Sequence, residues 1–158
     1  MLKLLGALLI LTSGIFCSRL ICEKKKKRLK TINALIELLE HIRSSIQTAR
    51  LPLNDIYELF NNDALESCGF NYILKTQGLQ IALDSIKDII GTNIYDAVIV
   101  TSAKLGGINI SEQIGMCNYS INKLQNEHQK EREQFTEKQK LYKALPILCA
   151  LSVIILIL

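Results

Sequence analysis

Residues Glu23 to Lys30 read Glu-Lys-Lys-Lys-Lys-Arg-Leu-Lys and directly follow an apolar stretch that begins at Met1. Six positive charges stand after that stretch, against only Lys3 and the chain amino group before it. Positive charge beside a membrane span is retained in the cytoplasm, so the imbalance sets an orientation. The amino terminus is expected outside and the chain after Glu23 inside. A second apolar stretch, Ala144 to Leu158, then returns the chain to the bilayer. This pattern divides the chain into an anchor (1–22), a cytoplasmic domain with a stalk at each end (23–143) and a second span (144–158).

The anchor differs from a secretory signal, whose charge precedes its apolar core. Bulky Phe16 before Cys17 also makes a poor lipoprotein cleavage site. Leu4 to Ile21 would give about 27 Å of helix, nearly a bilayer core. Ala144 to Leu158 would give about 23 Å, short for a span unless Leu141 and Tyr142 extend it, and a half-inserted tail is the alternative. Pro146 is expected there as a kink or a first-turn residue.

Charge excludes one class of partner. The formal charge is +4, but after Lys30 eleven basic residues face fourteen acidic ones, a net of −3. A nucleic-acid-binding domain needs a basic surface, so nucleic acid is excluded as a partner. Lys24, Lys25, Lys26, Lys27, Arg28 and Lys30 instead suit anionic lipid headgroups, at about 1 kcal/mol per basic residue.

Between the ends the pattern is helical. Ile32, Leu35, Leu39, Ile42, Ile46 and Ala49 recur in steps of three and four, with Glu37, Glu40, Arg43 and Gln47 off the stripe and expected in water. Pro52 ends that helix near Arg50 and is expected to open the next one, which turns Leu53, Ile56, Tyr57 and Phe60 inward. Asn61 to Gly69 holds turn formers. Helices are expected over Phe70–Thr76 and Gly78–Ile90, then from a Thr92 or Asn93 cap to Leu105. The Ala-Val-Ile-Val centre of that last segment also fits a strand. Gly106-Gly107 ends it, and Ser111 with Glu112 opens the final helix, whose stripe is Ile114, Cys117, Ile121 and Leu124. From Gln125 to Lys140 the one apolar residue is Phe135, which reads as a solvated stalk. Antiparallel stalks would bring Lys27 and Lys30 level with Glu137 and Glu133. The fold class is therefore all-α, a cytoplasmic bundle of five to six helices flanked by two transmembrane helices.

No catalytic, cofactor or metal constellation emerges. Cys17, Cys22, Cys68, Cys117 and Cys149 lack Cys-x-x-Cys spacing and read as small buried apolar residues in a reducing compartment. His41 and His128 stand far from any plausible nucleophile and read as surface or interhelical residues. Asp84 and Asp88 read as a solvated helix face, and Lys104-Leu105-Gly106-Gly107 lacks the residues of a phosphate loop. A membrane enzyme would need ionisable residues deep in its spans, and only Thr12, Ser13 and Ser152 are polar there. The expectation is a protein without enzymatic activity.

Several features taken in order carry a family resemblance. They are the opening Met-Leu-Lys-Leu-Leu-Gly-Ala-Leu-Leu-Ile, the basic run, and Leu51-Pro52-Leu53 after a leucine-rich helix. Leu105-Gly106-Gly107 then precedes Ser111-Glu112-Gln113, and Glu137-Lys138-Gln139-Lys140-Leu141-Tyr142 leads into the last span. Over nearly its whole length the chain resembles the stage III sporulation protein AB family. It departs at Ala144-Leu145-Pro146, where the family has a glycine-containing start.

The resemblance implies a helical domain similar to the F-type platform proteins of type II secretion and type IV pilus systems. It also implies a place in the mother-cell membrane during sporulation, in the channel joining mother cell and forespore, with both termini outside. The implied partners are the secretion-type ATPase, stage III sporulation protein AA, and other stage III A membrane subunits. Self-association into a homo-oligomer stays open. The alternative is a membrane-tethered helical adaptor unrelated to secretion. Glu37, Glu40, Arg43, Gly106 and Gly107 are the candidate partner surface.

Overall fold

A computed structural model describes the backbone of residues 2–49 and 51–157. Side chains are described except at 1–11, 14, 18, 50, 139, 142–143, 145–147, 149–151 and 153–158. Among the described residues the chain is all-helical. Its elements are α1 (Leu2–Thr48), α2 (Leu53–Leu59), α3 (Asp63–Glu66), α4 (Phe70–Gln77), α5 (Leu79–Ile90), α6 (Thr92–Lys104) and α7 (Ile110–Ile157). The Ala-Val-Ile-Val segment is helix, so the strand alternative falls. The helix absent from the expected set is α3.

The chain divides into two units, Arg28–Lys130, and Met1–Lys27 with Glu131–Leu158. The first holds the core. Ile32, Leu35, Leu38, Leu39 and Ile42 of α1 have no exposed surface, and Ala34 and Ile36 are also buried. The buried face of α1 is therefore broader than the single stripe expected, as befits a helix covered from several sides. Around it pack Ile56 and Tyr57 of α2, Leu65 of α3, Phe70 and Leu74 of α4, and Leu83, Ile86 and Ile90 of α5. Ile94 and Val98 of α6 and Cys117, Ile121 and Leu124 of α7 complete the cluster. Ala49, expected on the stripe, is exposed, because α1 has already ended at Thr48.

Glycine, proline and asparagine set the joints. Pro52 stands just before α2 in extended geometry (φ −62°, ψ 148°) and so precedes the helix it was expected to open. Asn62 caps α3, its side chain accepting a hydrogen bond from the Ala64 amide at 2.9 Å. Gly91 separates α5 from α6 at φ 78°, ψ 163°, a region essentially confined to glycine. Because Gly91 holds the cap position, Thr92 and Asn93 lie inside α6 and neither caps it. Asn109, ahead of Ser111, caps α7 by accepting the Glu112 amide at 2.8 Å.

In the second unit the described apolar side chains of α1 and α7 are mostly exposed, including Phe16 (63%) and Leu148 (62%). Cys22 is buried and Cys17 exposed, so Cys17 departs from the reading of the cysteines as buried apolar residues. Among the described residues no helix is long and apolar enough to cross a membrane. The expected spans at 4–21 and 144–158 fall largely on side chains outside the description, as does Cys149.

Candidate partner surface

Polar bonds fix the helices that carry the candidate residues. Glu37 is exposed and receives two amides, from Asn33 and from Asn62, each at 2.7 Å. Since Asn62 also caps α3, this carboxylate clamps α1 to the start of α3. Glu40 is half-buried. Arg43, expected in water, is half-buried and donates to Asn118 Oδ1 at 2.9 Å, which ties α1 to α7. It lies beside the buried Cys117 thiol. Burial pushes that thiol up to about 11, and the Arg43 charge opposes the rise.

Gly106 and Gly107 are exposed at the α6–α7 turn. Gly106 has φ 81°, and a Cβ there would stand 3.1 Å from Leu53 Cδ1, so both backbone and packing call for glycine. Its amide donates to Gln113 Oε1 at 3.2 Å, while Gln113 Nε2 donates to the Ile108 carbonyl at 2.7 Å. The buried Gln113 thus braces the turn from the first turn of α7.

The basic run is not uniform. Lys24, Lys25, Lys26, Lys27 and Lys30 are exposed, but Arg28 is half-buried and donates to the Ile89 carbonyl at 3.4 Å. A cation at the last carbonyls of α5 is favoured by the helix dipole. The absent Cβ of Gly91 makes room for it, since a Cβ there would fall 2.9 Å from Arg28 Nη1. Arg28 therefore anchors the first turn of its unit to the end of α5.

His41 and Asp84 take structural roles. His41 Nε2 lies 3.3 Å from the Ile56 carbonyl, so that nitrogen carries the proton, and its ring centroid lies 5.6 Å from that of Phe60 with the planes tilted by 43°. This links α1 to α2. His128 is half-buried. Asp84 accepts the Tyr95 hydroxyl, and Lys87 Nζ sits 4.5 Å above the Tyr95 ring. That hydrogen bond to Asp84 is the main reason the phenol is held above its ordinary value.

One surface escaped sequence reasoning. Leu59 and Tyr72 are the most exposed large apolar side chains of their unit, at 68% and 70%. They flank one junction, because Asn71 beside Tyr72 donates to Asn61 Oδ1 at 2.6 Å, two residues past Leu59. Asn71 Nδ2 also reaches the Asn62 carbonyl at 3.1 Å and Glu66 Oε2 at 2.9 Å. Asp55, Glu58, Asp63 and Glu66 are exposed along the same α2–α4 segment. The available signal was charge: residues 51 to 74 contain those four acids and no lysine or arginine.

These features define an all-helical unit, Arg28–Lys130, with its distinctive chemistry on its surface. Among the described residues no three metal-ligating side chains are grouped as a site. A family model described as stage III sporulation protein AB matches residues 3–70 and 90–158, and the chain belongs to that family. The unmatched stretch, 71–89, covers most of α4 and α5. No curated protein and no solved structure matches the chain. The family description places the chain in sporulation and names no reaction.

Proposed function

We propose that the chain is a non-enzymatic platform subunit of the channel joining mother cell and forespore. In this reading it couples a cytoplasmic secretion-type ATPase, stage III sporulation protein AA, to the membrane components. The observation that carries the reading is the family match, which includes both long helices and the basic run between apolar stretch and domain. The apolar ends act as spans in the mother-cell membrane, with both termini outside. Lys24, Lys25, Lys26, Lys27 and Lys30 face lipid headgroups, while Arg28 holds the domain to its own α5.

The ATPase contact falls on the α2–α4 surface. Exposed Leu59 and Tyr72 are suited to serve as apolar anchors, and the surrounding carboxylates select a partner face that carries lysine or arginine. A truncated anchor at an interface centre costs at least about 1 kcal/mol of binding, whereas exposed positions shift fold stability by about 0.5 kcal/mol or less.

The test is co-purification of the full chain with the ATPase, repeated for Leu59→Ala, Tyr72→Ala and Glu58→Lys. Loss of binding with an unchanged melting temperature is the expected result. No binding by the unaltered chain, with both proteins folded, would remove the coupling role. Binding unaffected by all three substitutions would move the contact to Glu37, Glu40, Arg43 or the Gly106-Gly107 turn. In the host, deletion of the gene is expected to arrest sporulation after engulfment, with small or collapsing forespores. Normal yields of heat-resistant spores would overturn the channel role.

A further inference from the structure

We infer that α7 pairs with α7 of a second copy of this chain, antiparallel, through Ser111, Gly115, Tyr119, Asn122 and Asn126. The spacing of four, four, three and four puts these residues on one side of the helix. All five are exposed, with Tyr119 at 60%, and none is charged. An uncharged stripe around an exposed tyrosine has the composition of an interface centre, where charge is depleted and aromatic residues are enriched.

Gly115 is the second observation. It lies inside α7, outside the positive-φ set, and a Cβ built on it meets nothing within 4 Å. Neither backbone geometry nor packing within the chain calls for glycine here, and glycine weakens a helix interior. What its missing side chain permits is close approach of another backbone.

Symmetry selects the occupant. A two-fold interface requires that residue i meet residue j and that j meet i. An axis level with Cys117 lays each Tyr119 ring over Gly115 of the other copy, sets Ser111 to Asn122 within the paired segment and leaves Asn126 just beyond its end. The same axis brings Glu112 to within one residue, about 1.5 Å along the helix, of Lys123 in the other copy. Glu112 and Lys123 are eleven residues apart, three helical turns, so both flank the stripe on the same side. A parallel pair would put that flank of the two copies on opposite sides of the interface, so Glu112 and Lys123 would not meet. An acidic or basic partner would gain nothing from a neutral stripe, whereas amides and hydroxyls, each both donor and acceptor, are self-complementary.

The stripe is about 24 Å long, and one such helix face buries less than a standard interface of about 1,600 Å². Pairing is therefore transient, and covalent capture is the suitable readout. Tyr119 is replaced by p-benzoylphenylalanine in the full chain, and two differently tagged copies are co-expressed and irradiated. The expected product is a covalent dimer carrying both tags. Glu112→Lys or Lys123→Glu alone reduces its yield severalfold, and the two together restore it. Gly115→Leu abolishes it without lowering the thermal midpoint. The inference is overturned if the tyrosine position captures only other proteins or nothing. It is also overturned if the double charge exchange fails to restore the yield lost in the single ones. Restoration cannot arise from misfolding, so the exchange separates a lost interface from a lost fold.

Discussion

Thr101 and Ser120 have no exposed surface and join α6 to α7 through their hydroxyls, 2.7 Å apart. Ser120 has one proton and donates it to the Ala97 carbonyl at 2.8 Å, so Thr101 is the donor to Ser120. The alternative acceptor for Thr101 is the Met116 carbonyl at 3.4 Å, too long for a full O–H bond. Ser120→Ala strands the Thr101 proton on that poor acceptor and should cost about 1–2 kcal/mol. Thr101→Val leaves Ser120 its carbonyl and should cost about 1 kcal/mol. Replacing both by apolar groups of similar shape leaves nothing stranded, so the double variant should also cost about 1 kcal/mol.

The singles then sum to more than the double, with a coupling of about 1 kcal/mol, beyond the ~0.5 kcal/mol scatter of independent sites. Cys117 provides the assay, since its thiol has no exposed surface and lies less than one turn from Ser120. Its alkylation under native conditions, located by mass spectrometry, measures opening of this packing. Each kcal/mol of destabilisation should speed labelling about fivefold. Additive rates, or a double variant that labels fastest, would refute the proton assignment.

Further outcomes follow from the same geometry. Gly91→Ala should cost about 1–3 kcal/mol through backbone strain, and less in an Arg28→Ala background, where no guanidinium faces the new Cβ; paired thermal melts measure the difference. Asn62→Ala removes the α3 cap and the Glu37 clamp together and should cost about 1–2 kcal/mol in urea unfolding. Stability should fall in alkali. Burial raises Cys117 from 9.0 to about 11 and Tyr57 from 10.0 to about 12, so the unfolded chain loses these protons first. Their contribution is whole below pH 9 and is lost by about pH 12; a Cys117→Ala variant should show a shallower loss between pH 9 and 11.

Much of the fold was legible because apolar spacing reports buried faces directly. The α7 stripe falls where its residues predict, with Cys117, Ile121 and Leu124 buried and Ile114 half-buried, and Gly106 marks a real joint. Polar links were not legible. Whether Gln113 reaches Ile108, or Arg43 reaches Asn118, depends on the register of two helices, which periodicity within one helix does not specify. The caps illustrate a narrower failure. Thr92, Asn93 and Ser111 are good capping residues, but Gly91 and Asn109 occupy the cap positions because chain geometry decides where the helix starts. The α2–α4 surface was missed for another reason. Leu59 and Tyr72 look like core residues by type, and only their exposure shows that they are not.

That distinction separates the residues the fold needs from those it leaves unassigned. On α7 the bonded residues Gln113, Asn118 and Ser120 are buried or half-buried and hold the helix to its own domain. Ser111, Gly115, Tyr119, Asn122 and Asn126 lie on the exposed side, where lysine or glutamate would cost the fold about 0.5 kcal/mol or less. Folding therefore does not account for the absence of charge there. The rest of the surface sorts by the same argument: a basic run repels its own copy, and so does a segment with four acids and no base. Of these three surfaces the neutral stripe is the one that can meet itself, so the proposed self-association and the proposed partner binding are separable by mutation on different helices.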